Sequence, residues 1–113
     1  MGRKFCILGG GAMGTACAVV LAQDPANDVT LWVRNPVFAG HIAETRENSR
    51  LLAGIFLPES VQVTADANDA LLAAEIVVVC IPTRGIREAI ARLAEQIPKT
   101  AIMVSAVKGI ENE

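Results

Sequence analysis

Six residues near the N-terminus, Gly9-Gly10-Gly11-Ala12-Met13-Gly14, carry the spacing G-x-G-x-x-G. Each glycine position has a chemical use. Gly9 permits a tight turn after a strand, and Gly11 presents bare main chain that a pyrophosphate can approach. Gly14 lets a following helix pack closely on the first strand. The mouth of that helix would add unpaired N–H groups and a partial positive charge. The hexapeptide alone is weak, because a ligand-free strand-to-helix turn can have the same composition. It gains force when a strand precedes it, a helix follows it, and both belong to a βαβ unit near the N-terminus.

A second reporter lies about twenty residues on, where a site selective for NAD tends to place an Asp or Glu for the ribose 2′-hydroxyl. This chain has Arg34-Asn35 there and no acid. A guanidinium pairs with a 2′-phosphate by charge-assisted, bidentate hydrogen bonds. NADP(H) is therefore the expected cofactor and NAD(H) the alternative, with a solvated surface charge the plainer reading of Arg34. Pro82 is expected to end a strand beside the first one and to face the ribose and nicotinamide side of the crevice. Lys108, just past the last strand, should point into the same crevice and meet the cofactor or an anionic substrate. His41 falls in mid-helix and reads as a surface residue. No metal-ligand cluster is visible.

The elements that must position these residues follow from the apolar pattern. Phe5-Cys6-Ile7-Leu8, Val29 to Val33 and Ile76 to Ile81 are continuous apolar or β-branched runs, as expected of strands buried on both faces. Val61 to Thr64 and Ala101 to Ser105 complete five. Between them, helices are expected over Met13 to Ala22, Pro36 to about Asn48, a short stretch capped by Asp66 or Asn68 and running through Ala74, and about Gly85 to Gln96. In the last of these Ile86, Ile90, Leu93 and Ile97 recur at helical spacing on one face. Residues 49–60 read as a loop. Strand and helix alternate throughout, which predicts an α/β, Rossmann-type doubly wound parallel sheet in the order 3-2-1-4-5, occupying residues 1–113 as one domain.

Composition closes off other classes. Of 113 residues, 52% are hydrophobic and 19% charged, which excludes a disordered chain. No apolar run nears the roughly 18 residues of a membrane span, and no cleavable secretion signal is evident. A net charge of −2 argues against nucleic-acid binding by bulk charge. Cys6, Cys17 and Cys80 have neither disulfide-framework nor zinc spacing and read as reduced thiols of a cytoplasmic protein.

With these segments placed, the sequence resembles the N-terminal, cofactor-binding domain of NAD(P)-dependent glycerol-3-phosphate dehydrogenases. The resemblance runs over essentially the whole chain. It rests on Gly9 to Gly14 with Thr15-Ala16, Leu31-Trp32-Val33-Arg34, Asn48, Leu52, Gly54, Leu57-Pro58, Thr64-Ala65-Asp66, Ile81-Pro82-Thr83 and Lys108-Gly109-Ile110-Glu111. It implies cofactor contacts from Gly9, Gly11, Ala12, Met13 and Gly14, and adenosine contacts from Arg34 and Asn35. It also implies that Lys108 touches both cofactor and glycerol phosphate. Ala12-Met13 stands where the family often has a pair such as Ser-Trp, and Leu51 where it has an aromatic, so contacts there reduce to main chain.

The implied reaction is reduction of dihydroxyacetone phosphate to sn-glycerol 3-phosphate, a glycerophospholipid precursor. In the family the base, another lysine and most substrate contacts belong to a following helical domain, whereas this sequence stops at Glu113. Nucleotide binding without appreciable turnover is therefore expected, because hydride transfer needs donor and acceptor held in near-attack geometry. Strand five, left as an edge, is expected to favour a homo-oligomer. Two other readings stay open: a ketopantoate- or hydroxyacyl-type reductase domain, and a non-catalytic nucleotide-sensing or assembly module.

Overall fold

Short β-rich runs separated by helices build the chain's architecture. A computed structural model describes residues 2–48, 53–81 and 83–106. The elements are β1 (Lys4–Leu8), α1 (Ala12–Leu21), β2 (Asp28–Trp32), α2 (Pro36–Thr45), β3 (Gln62–Thr64), α3 (Ala67–Leu71), β4 (Ile76–Val79), α4 (Thr83–Leu93) and β5 (Ile102–Ser105). The five strands form one parallel sheet in the order β3-β2-β1-β4-β5, as expected.

Alternation along each strand divides the core into two layers. Ile7 lies in register with Leu31 on one side and Val78 on the other, and this row packs with Ala18, Ala39 and Ile42 of α1 and α2. The next row, Trp32, Leu8 and Val79, faces the opposite way and packs with Ala70, Leu71 and Leu93 of α3 and α4. Strands covered on both faces explain the unbroken apolar runs of the sequence.

Helix boundaries differ from the expected ones for local reasons. Helix α2 stops at Thr45, short of Asn48, because Arg46 adopts the left-handed conformation (φ 63°) while its N–H still bonds Ile42 O at 2.7 Å. The Arg46 guanidinium then donates to the carbonyls of Pro58 at 2.5 Å and Val61 at 2.6 Å. Asp66, rather than Asn68, caps α3, accepting from the N–H groups of Asn68 and Asp69. That helix ends at Leu71, since Leu72 leaves helical geometry and Ala73 turns to φ 59°. Helix α4 begins at Thr83 and gives way to a turn after Leu93, where Gln96 N–H bonds Leu93 O. Strand β4 is two residues shorter than its apolar run.

Candidate functional site

The registers bring five strand ends to one edge. Thr64 pairs with Trp32, Trp32 with Leu8, Leu8 with Val79, and Val79 with Ser105. The loops after β1, β2 and β4 therefore open side by side. They meet where the chain leaves β1 for β2 on one flank and returns as β4 on the other, the crevice where open α/β sheets bind ligands.

The glycines of the first loop do different work. Gly9 has φ +125°, and a Cβ there would lie 2.7 Å from Cys80 O, so only glycine turns the chain out of β1 without strain. At Gly14 a Cβ would lie 2.0 Å from Gly9 O, because the first turn of α1 rests on the loop's own start and on Cys80. Gly11 has nothing within 4 Å of its would-be Cβ and faces open space.

Gly11 is also the N-cap of α1, with no capping side chain and no acid in the first turn. The helix ladder begins with Thr15 N–H donating to Gly11 O at 3.0 Å, so the N–H groups of Ala12, Met13 and Gly14 have no intrahelical acceptor. Two buried polar residues hold the opposite side of the loop. Asn48 Nδ2 donates to Gly10 O at 2.8 Å and to Thr15 Oγ1 at 3.1 Å, and Thr15 Oγ1 donates to Gly11 O at 2.8 Å. The loop's carbonyls are drawn inward, which leaves the helix mouth free for an anion. A diphosphate fits this arrangement through main chain alone.

Arg34 follows β2 at the same edge and is exposed. Beside it Asn35 is committed to structure, its Oδ1 accepting from Val37 N–H at 2.9 Å and Phe38 N–H at 3.1 Å as the cap of α2. Ala12 and Met13 are exposed on the first turn of α1. Pro82 and Lys108 lie outside the described residues. His41 is exposed on α2, as expected.

Two features escaped the sequence reading. Asn48 appeared only as a matching position at the expected end of a helix, and its grip on Gly10 spans 38 residues, a contact no local pattern reports. The cysteines looked solitary, yet Cys17 on α1 and Cys80 after β4 share a side-chain hydrogen bond beneath the loop, with all three thiols free. Burial, helped by the Cys17 neighbour, pushes the Cys80 thiol up to about 12. Burial also raises Cys6 to about 12, against a smaller opposing pull from Lys4. These are packing thiols rather than nucleophiles. Among the described residues no cluster could hold a metal ion, and no helix is long and apolar enough to cross a membrane.

A glycine-turned loop, a bare helix mouth and a 3-2-1-4-5 parallel sheet define the Rossmann class of nucleotide-binding domains. Residues 4–113 match the family model of the NAD-dependent glycerol-3-phosphate dehydrogenase N-terminus, and the chain belongs to that family. It is 46% identical over 105 residues to a glycerol-3-phosphate dehydrogenase (NAD(P)+) of Corynebacterium glutamicum, covering 93% of this chain and 31% of that protein. A Mycobacterium tuberculosis homologue of the same name, numbered 2, is 44% identical with the same coverage of both chains. The crystal structure of the Coxiella burnetii glycerol-3-phosphate dehydrogenase superposes with a TM-score of 0.87 at 25% identity, over 97% of this chain and 34% of that one. The chain thus spans about a third of the length of the relatives it matches. A ketopantoate reductase of Ralstonia eutropha, at 24% identity and a TM-score of 0.74, shares the fold.

Proposed function

We propose that this chain binds NAD(P)(H) at the carboxyl edge of its sheet, NADP(H) in preference to NAD(H). In this reading it is the cofactor-holding part of a glycerol-3-phosphate dehydrogenase. The observation that carries the reading is the uncapped mouth of α1, with Asn48 and Thr15 holding the loop carbonyls away from it. Gly9, Gly11, Ala12, Met13 and Gly14 offer main chain to the diphosphate. Arg34 meets the adenosine side, with Asn35 setting the start of α2 just behind it. Pro82 and Lys108 are assigned to the nicotinamide side, and Lys108 also to the phosphate of the substrate.

When bound, the reduced cofactor supplies a hydride for the carbonyl of dihydroxyacetone phosphate, giving sn-glycerol 3-phosphate for phospholipid synthesis in the cytoplasm. The residues of this chain bind and orient. Substrate positioning and proton transfer belong to a helical part of the relatives that these 113 residues do not match, so residues 1–113 alone bind nucleotide without appreciable turnover. The curated relatives' names favour this over a ketopantoate-type reductase or a sensing module.

The test is a fluorescence titration with NADPH and NADH. NADPH should bind more tightly, and Arg34→Ala should erase roughly tenfold or more of its advantage by removing a charge-assisted contact. Equal affinities before and after the substitution would remove Arg34 from the reading. No binding of either nucleotide would end it.

A further inference from the structure

A cavity of about 180 Å³ opens between the end of β2 and α4, lined by Trp32, Arg34, Glu88, Ala89, Arg92 and Leu93. Pockets that enclose a whole drug-sized ligand run to roughly 300–1,000 Å³, so this one suits one base-sized ring system rather than a whole dinucleotide. Its walls divide by chemistry. Trp32 and Leu93 are buried in the second core layer and, with Ala89 packed against it, give an apolar slot. Arg34 enters from the strand end. Glu88 and Arg92 enter from α4, four residues apart and therefore on one helix face. Among the described residues no hydrogen bond or ion pair engages these three charged side chains.

Two guanidiniums without a partner among the described residues, at the rim of a ring-sized apolar slot, make an anion site with an aromatic floor. A phosphate monoester carries about −1.5 to −2 charges at pH 7, more than a single arginine balances. A guanidinium also presents a fork that matches phosphate oxygens. Glu88 opposes such an anion and would accept from a ribose hydroxyl instead.

We infer that Arg92 is a second determinant of cofactor choice, forming with Arg34 a two-guanidinium clamp on the 2′-phosphate of an adenosine seated against Trp32, Ala89 and Leu93. The clamp rests on the nucleotide reading of the glycine loop. Glu88 sets the limit of the preference, since it repels the 2′-phosphate and tolerates the 2′-hydroxyl.

The experiment uses the protein as its gene encodes it and titrates NADPH, NADH, 2′,5′-ADP and 5′-AMP. Arg92→Ala should weaken NADPH and 2′,5′-ADP by roughly tenfold or more while leaving NADH and 5′-AMP unchanged. Arg92→Lys should restore part of the loss, and Glu88→Gln should tighten the two 2′-phosphorylated ligands. If Arg92→Ala leaves 2′,5′-ADP binding intact while Arg34→Ala lowers it, the clamp is wrong and the nucleotide site stands. Equal weakening of all four ligands would make Arg92 a packing residue and also overturn it. A wild-type protein that binds neither dinucleotide defeats the underlying reading first.

Discussion

Gly11 and Gly14 sit three residues apart and respond to a side chain in opposite ways. Space is open around Gly11, whose φ of −79° any residue adopts. Gly11→Val should therefore fold, losing at most about 1 kcal/mol because valine is a poorer N-cap than glycine. Nucleotide binding should nevertheless disappear, since the new methyls stand where the diphosphate must come. Gly14→Ala drives a methyl into the Gly9 carbonyl and should cost about 3 kcal/mol, the upper range for overpacking. Urea melts paired with NADPH titration separate the two. A Gly11→Val protein that folds and still binds would show that the ligand does not approach there. Asn48 shows the limit of reading at this scale: its residue type allows many roles, and only the fold reveals which carbonyl it holds.

At the scale of elements, strand identity and order were legible because each strand is a short apolar run and each connection is a helix. Helix ends were less so. Arg46 stops α2 in a left-handed turn that a glycine or asparagine would have advertised and an arginine does not. The distant carbonyls of Pro58 and Val61, which reward that turn, are invisible to local propensity. The pocket walls from α4 were missed likewise, because Glu88 and Arg92 belong to no motif and only the fold brings them to Trp32 and Arg34.

The strands also carry a pH prediction. Cys6 on β1 and Cys80 just after β4 have thiols raised from 9.0 to about 12, so they stay protonated in the native state when the unfolded chain has already ionised. The unfolded state then binds fewer protons, and stability falls as pH rises from about 9 towards 12. The chain has no tyrosine to confuse the titration. Thermal melts at pH 8 and above pH 9.5 should show a falling midpoint, and Cys6→Val should flatten the fall. An unchanged slope in that variant would assign the alkaline loss to other groups, such as the lysines.

For the whole molecule, the two faces of the sheet are unequally clothed. Helices α1 and α2 cover the β3-β2-β1 half of one face, and beside α1 the described residues leave a groove of about 570 Å³ over β4 and β5. Phe5, Met13, Cys17, Val20, Val78 and Val104 are among its walls. On the adjoining edge strand Ile102, Met103 and Val104 are 59%, 45% and 43% exposed. Bare apolar edges invite pairing with another chain. A preparation of residues 1–113 should accordingly self-associate as concentration rises, and Val104→Lys should reverse this. Sedimentation equilibrium measures both, and a constant monomer mass over a wide concentration range would count against edge pairing.

The Arg46 side chain has an effect well beyond its own turn. By gripping carbonyls at both ends of the 58–61 stretch, it works like a drawstring at the neck of the excursion that leaves α2 and returns to β3. A change at the exposed turn around Gly54 is held off from β3, because the knot is tied ahead of that strand.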